Sequence, residues 1–321
     1  MKTANVSIHE SQFPDNVRRD LLASLRTRKI NHKFHYDSVK QTQQWLALHQ
    51  IYSPSRNDAD CAATYDRAFA GAVRQIKTRR IHVVGLGCGG GQKDKRLLKL
   101  LKAGGNEIFY TPSDVSTAMV LVARQTALTV MPERNCFPLV ADLASADDLP
   151  AALVTRHPAL VTFFGMIPNF EPQLILPKLA SLVRLGDFLL FSANLAPGKN
   201  YAAGMKKVLP QYDNAPTREW LLTFLLDLGV VRGDGKLILK IESGVGGLQR
   251  IAARFHFTRA VRFAIESEEF TFRRGDSIRL FFSYRYTPAL VRKHLARHGL
   301  EILDQWITQS EEEGVFFCCK K

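Results

Sequence analysis

Cysteine is scarce in this chain and poorly placed for chemistry. Five cysteines stand among 321 residues, at Cys61, Cys88, Cys136 and the adjacent Cys318 and Cys319, with no CxxC pair and no zinc-type Cys/His spacing. That pattern excludes a disulfide framework and a finger or ribbon, so no metal is expected and a reducing compartment fits. Long apolar runs are missing too: nothing reaches the roughly 18 uncharged residues needed to span a bilayer. The opening MKTANVSIHESQF has no apolar segment of the signal-peptide kind. A cytoplasmic protein without membrane attachment is the expectation. No internal repeat or low-complexity tract is present.

Acidic residues are in the minority, 30 against 44 Lys and Arg, for a net charge of +14 and a pI near 9.7. A basic balance can mark a nucleic-acid binder, because clustered cations neutralise phosphates. Here the cations lie in short dispersed groups, such as Arg18-Arg19, Lys206-Lys207 and Arg273-Arg274, with no RNA-binding motif beside them. A solvated basic surface is the plainer reading, and a small-molecule substrate rather than nucleic acid is the expected partner. The oligomeric state is not legible, with a monomer the default.

What is present is an ordinary globular composition, 46% hydrophobic, over a length that allows a large core with an appended lobe. Residues 1–76 read as helical, from the apolar periodicity of VRRDLLASLR and VKQTQQWLALHQIY. From Arg80 the pattern changes to IHVVGLG, an apolar run bounded by glycine, followed by the helix-like KRLLKLLKAG. EIFYTPSD, STAMVLVARQTAL, CFPLVADL, ALVTFFGM, LILPKLASLV and DFLLFSANL continue the alternation. Strand and helix in succession specify an α/β fold, a mostly parallel, doubly wound, Rossmann-like sheet over 77–198. Residues 199–275 are less regular, with a helix near Trp220 to Leu228 and strand-like LILKIES and RIAARFHF; they read as an inserted α+β substrate lobe. Residues 276–321 are expected to complete the core sheet, and 1–76 to form the helical part of the lobe.

The strongest chemical signal is VVGLGCGGGQKDK at 83–95, where a strand ends and Gly87, Cys88, Gly89, Gly90 and Gly91 precede a helix. Glycines permit positive φ and close approach of a ligand, and the helix N-terminus offers free N–H groups to an anionic or nucleotide-like group. Asp114 ends the next strand, where its carboxylate can accept from ribose hydroxyls, and Asp142 ends the third, where it can receive an adenine amino group. A dinucleotide dehydrogenase shares such a turn, but no second phosphate-binding element follows it. Three successive strand ends favour a nucleotide-like cofactor over isolated helix caps.

With these motifs in place, the chain resembles the histidine Nα-methyltransferases of ergothioneine biosynthesis and their relatives, which include fungal dimethylallyltryptophan N-methyltransferases. The resemblance spans KFHYDSV at 33–39, IYSPSRNDA at 51–59, GLGCGGGQK, PSDVS, FFGMIPNFEP at 163–172, GDFLLFSANL, SYRYTP and VRKHLARHGLE. It implies an S-adenosylmethionine-dependent methyltransferase of specialised metabolism. The cofactor would lie against Tyr36, Gly87, Cys88, Gly89, Lys93, Asp114, Asp142 and Leu143. Tyr52, Asn169 and Tyr212 stand where relatives hold the amino acid's amine and carboxylate, the set expected to position the reacting nitrogen.

The departures concern the acceptor. Histidine-specific members carry a glutamate that grips the imidazole; this chain has Phe281 there, with Ser283 retained, and Ala253 where relatives carry a bulkier residue. An imidazole nitrogen left without a partner against phenylalanine loses roughly 1–3 kcal/mol. The expected activity is therefore N-methylation of a small amino acid or amine other than histidine, aromatic or apolar. O- or C-methylation of a small metabolite, or a basic RNA- or protein-binding module retaining the fold, are the alternatives.

Overall fold

The computed structural model describes residues 3–52, 57–153 and 157–321; the side chain of Tyr52 lies outside the described residues. In chain order, strand β1 (Ser7–Ile8) is followed by helices α1 (Pro14–Thr27), α2 (Val39–Tyr52) and α3 (Ala59–Gln75). The alternating region comprises β2 (Arg80–Leu86), α4 (Gln92–Ala103), β3 (Glu107–Asp114), α5 (Thr117–Leu128), β4 (Leu139–Val140), α6 (Leu149–Ala152), β5 (Ala159–Phe163), α7 (Pro172–Leu182) and β6 (Phe188–Asn194). Then come α8 (Tyr201–Val208), α9 (Ala215–Asp227), β7 (Gly235–Ser243), β8 (Gln249–Phe257), β9 (Val261–Ile265), β10 (Glu268–Phe272) and β11 (Ser277–Arg285). α10 (Pro288–Ala296), β12 (Leu300–Ile307) and β13 (Glu313–Lys320) close the chain.

The main sheet runs β1-β4-β3-β2-β5-β6-β13-β12. Pairing is parallel from β1 to β6, and β13 lies antiparallel between β6 and β12. The fold is thus Rossmann-like α/β. β2 is buried from its second residue to its last, as a central strand covered on both faces must be. Strand order reverses between β2 and β5, which opens a crevice at their carboxyl ends.

A second sheet, β11-β8-β7, and the β9–β10 hairpin form the lobe. Leu25, Phe34 and Tyr36 of the N-terminal region share its apolar cluster with Trp220, Phe224, Phe255 and Phe281. Phe257 stacks on Phe272 at 4.5 Å.

Three boundaries differ from the sequence reading. β11 pairs with β8 over nearly its whole length and so belongs to the lobe, not to the core sheet. It is buried on both faces, and an apolar run of that kind gives no sign of which sheet takes it. Helix α3 lies on the core: Tyr65, Ala68, Phe69 and Ala72, one face of the helix, cluster with Val83, Leu160, Leu190 and Phe317. The N-terminal region also contributes β1 to the sheet edge, beside β4.

Candidate active site

The glycine turn caps β2 at the crevice. Gly87, Gly89 and Gly91 have φ of 56°, 50° and 71°, a left-handed backbone that side chains with a Cβ disfavour. Crowding adds to this: a Cβ on Gly87 would sit 2.7 Å from Met166 Cγ, and one on Gly91 2.9 Å from Ala123 Cα. Asp114 holds the turn, its carboxylate accepting from the Gly89 and Ser116 N–H groups, each at 3.0 Å. Burial pushes its carboxyl above the usual range, against those same hydrogen bonds. Beneath the turn Asp94 is buried and accepts from Tyr110 Oη at 2.6 Å and Thr162 Oγ1 at 2.9 Å. A cavity of about 540 Å³ lies over the turn, lined by Gly87 to Lys93 with Trp45, His49 and Phe164.

A second cavity, of about 270 Å³, adjoins it; Trp45, His49 and Lys93 line both. It brings together Tyr36, Lys93, Asn169, Tyr212, Phe281 and Ser283 from five distant segments of the chain. Tyr212 Oη lies 2.9 Å from Ser283 Oγ and accepts from Asn194 Nδ2 at 3.3 Å. Asn169 Nδ2 donates to the Phe282 carbonyl at 2.9 Å. The Arg285 guanidinium sits 5.3 Å from the centre of the Tyr212 ring. A bulge in the β8–β11 pairing falls between Arg279 and Phe281, and such a bulge re-aims the side chains that follow it. One wall is aromatic: Tyr36 packs against Trp45 and Trp220, with centroids at 5.7 and 5.6 Å, and Phe281 lies 6.1 Å from Trp220. Burial pushes the Tyr36 hydroxyl well up, and the Asp114 charge adds to the shift.

Ala253 does not line this cavity. It is fully buried and opposite Phe281 in register, so the larger ring occupies the space that the alanine was expected to leave. Asp142 and Leu143 are also away from both cavities. The Asp142 carboxylate takes Lys33 Nζ at 3.0 Å and the Ala144 N–H at 2.8 Å, and Lys33, itself buried, reaches Asp20 at 2.5 Å. Burial alone would raise the Asp142 carboxyl, but Lys33 and the Ala144 N–H hold it below the usual range. Leu143 packs into the core cluster on that side of the sheet. Tyr52 falls outside the described side chains.

Two residues linked to Lys93, Tyr65 by a direct hydrogen bond and Glu313 through Tyr65, were missed in the sequence. Tyr65 Oη is hydrogen-bonded to Glu313 Oε1, lies 2.8 Å from Ser192 Oγ, and accepts from Lys93 Nζ at 2.9 Å. Ser192 Oγ accepts the Gly165 N–H at 2.9 Å. Burial lowers the Lys93 ammonium, while the Glu313 charge opposes that shift. Tyr65 reads as a core position of an amphipathic helix and Glu313 as part of a solvated acidic run, so neither carried a signal of its own. Among the described residues, no three or more His, Cys, Asp or Glu are grouped to hold a metal, and no helix is long and apolar enough to cross a membrane.

The family model described as "Histidine-specific methyltransferase, SAM-dependent" matches residues 17–214 and 247–320. No curated protein matches the sequence. Among solved structures, the chain is similar to an S-adenosylmethionine-dependent methyltransferase from Clostridium acetobutylicum, with 13% identity, a TM-score of 0.47, and coverage of 86% of this chain and 98% of that one. The CcbJ methyltransferase of Streptomyces caelestis gives 12% identity and a TM-score of 0.42, over 80% of this chain and 96% of the other. A TehB-like methyltransferase from Corynebacterium glutamicum gives 10% and 0.41, over 88% and 100%.

Proposed function

The chain belongs to the histidine-specific, S-adenosylmethionine-dependent methyltransferase family, and from that premise we propose that it methylates the amino nitrogen of a small amino acid or amine other than histidine. It is an S-adenosylmethionine-dependent methyltransferase; the acceptor is the part proposed. The observation that carries the proposal is the acceptor cavity, polar at Asn169, Tyr212 and Ser283 and aromatic at Tyr36, Trp45, Trp220 and Phe281. The polar side suits an amine and carboxylate, and the aromatic side suits an apolar or aromatic side chain.

The residues over the glycine turn fit the cofactor. The turn is a cradle that a Cβ would fill, it opens onto the N-terminus of α4, and Asp114 faces it from the next strand. When bound, the cofactor supplies a methyl group already activated as a sulfonium, so little acid–base machinery is needed beyond a free amine lone pair. The task of this chain is alignment. Asn169, tied to the β11 backbone, and Tyr212, tied to Ser283, place the amine. The aromatic wall excludes water and fixes the rest of the acceptor. Phe281 offers no acceptor to an imidazole, which argues against histidine.

The test is a titration with S-adenosylhomocysteine, followed on the same sample by a mass screen of amino acids and amines for the gain of a methyl group, with fragmentation to locate it. A methylated amino nitrogen on an aromatic or apolar acceptor is expected. Preferred turnover of histidine, or methyl found on oxygen or carbon, would overturn the acceptor assignment while leaving the methyltransferase in place.

A further inference from the structure

The acceptor cavity has one carboxylate among the described residues that line it, and it comes from neither the lobe nor the glycine turn. Glu313 is the first residue of β13 and lies opposite Asn194 in register. It therefore stands at the same edge of the sheet as the carboxyl ends of β2, β5 and β6, where the crevice opens. Its partners fix it asymmetrically. Oε1 takes the Tyr65 hydroxyl, which in turn is held by Lys93 and Ser192. Oε2 has a 3.5 Å contact from Cys61 Sγ, a weak donor. A carboxylate offers about four lone-pair sites, so this one keeps the capacity to accept from a cation entering the cavity.

Its surroundings also provide a way out for a proton. Glu313, Tyr212, Asn194, Gln211 and Asn214 are shared with a further cavity of about 510 Å³, whose walls also carry Asp58 and Glu312. The acceptor cavity itself is otherwise lined by neutral polar, aromatic and apolar groups such as Leu48 and Met166, with Lys93 and His49. An ammonium placed among them meets a single anion.

We propose that Glu313 is the residue that receives the acceptor's ammonium and takes its proton. This rests on the reading of the acceptor as an amine. In the step, an N–H bond of the ammonium breaks and an O–H bond forms on the carboxylate; the nitrogen keeps the electron pair and becomes the neutral nucleophile. The carboxylic acid then returns its proton to water in the adjoining cavity, and the carboxylate is restored. Tyr65, held by Lys93 and Ser192, is a positioning residue that fixes one carboxylate oxygen and leaves the other with only the weak Cys61 donor.

The test uses Glu313→Gln, which keeps an oxygen to accept from Tyr65 but removes the charge and the basic site. Affinity for S-adenosylhomocysteine is expected within about twofold of wild type, with kcat/KM for the amine at neutral pH lower on the order of 100-fold. The deficit should shrink as the pH rises above the amine's own pKa, where solvent has already removed the proton. An unchanged kcat/KM and an unchanged pH profile would overturn the proposal while leaving N-methylation standing. A second measurement needs no variant: a quaternary ammonium analogue of the acceptor should inhibit the wild-type enzyme at least about tenfold more tightly than its neutral carbon isostere, and equal inhibition would overturn the anchoring role. If the wild-type screen finds methyl only on oxygen or carbon, the amine reading falls, and this proposal falls with it before any variant is made.

Discussion

The two cavities that meet at Trp45, His49 and Lys93 are built from different materials. Over the glycine turn one wall is main chain, set by positive φ, the N-terminus of α4 and one carboxylate that ties Gly89, with Trp45, His49 and Phe164 facing it. Across the junction the walls are side chains delivered by α2, the 167–169 turn, the Tyr212 segment, α9 and β11. Backbone geometry admits few substitutions, so the first wall tolerates little change. Side chains can be exchanged one at a time, and the stretch outside the family match, 215–246, holds Trp220 of the second wall. The difference separates what the enzyme must keep, a way to hold its cofactor, from what sets its acceptor.

The sharpest way to break that comparison is Gly87→Asp. The variant places a Cβ in a left-handed backbone beside Met166 and an anion in the cradle. Positive φ alone costs roughly 1–2 kcal/mol for a residue with a Cβ, and the collision and charge add to it. Titration calorimetry should show affinity for S-adenosylhomocysteine reduced at least about 100-fold, which is roughly 2.7 kcal/mol. Wild-type affinity in a folded Gly87→Asp protein would move the cofactor elsewhere.

A smaller effect is expected on the other wall from Phe281→Glu. It returns a carboxylate to the strand position beside Ser283, next to the rings of Trp220 and Tyr212. Cofactor affinity should stay within about twofold, because Phe281 does not line the cavity over the turn. Histidine turnover should rise by a factor of about 10 relative to wild type, the scale of one regained hydrogen bond to a charged group. No gain for histidine would mean that another part of the lobe, such as Trp220, sets the acceptor.

The same contrast governs how much could be read from the sequence. The turn was legible because five residues in a row, after an apolar strand and before a helix, carry the geometry themselves. Asp114 followed from strand order alone. Asp142 did not behave as its position suggested, because the partner that occupies it, Lys33, is 109 residues away. The β9–β10 hairpin escaped notice since its two-residue turn, Glu266-Ser267, has none of the Asn-Gly chemistry that marks hairpins, although Glu266 adopts φ 52°. β11 was recognised as a strand but assigned to the wrong sheet, because an apolar run reports burial and not the strand that pairs with it. Tyr65 and Glu313 are 248 residues apart and meet only in the fold.

The smallest expected effect compares the two regions by their response to acid. On the lobe side His35 is fully buried between Trp220 and Phe224, and its Nε2 is 2.8 Å from the Leu280 carbonyl. Burial lowers it to about 4, against the raising effect of that hydrogen bond. His82 on β2 is lowered to about 4 as well, by burial first and then by the nearby His157 and Arg184. A group whose folded value lies below its unfolded value of about 6.5 stays neutral in the native state while the unfolded chain takes up a proton. Stability is therefore fully present above about pH 6.5 and declines as the pH falls to about 4, by on the order of 1–3 kcal/mol for each buried histidine. Asp94 and Asp114, raised by burial, act in the opposite sense over part of the same range. Asp142, held low, acts only below the ordinary carboxylate value. The total slope is a sum of these, so the informative quantity is the difference between wild type and His35→Gln, whose amide can still donate to the Leu280 carbonyl but does not titrate. Urea unfolding between pH 7.5 and 4.5 should show the variant losing less stability than wild type, by at most about 1.4 kcal/mol per pH unit. Parallel curves would mean that His35 takes up its proton equally in both states, and that acid resistance of the lobe is set by its aromatic packing rather than by the neutral imidazole within it.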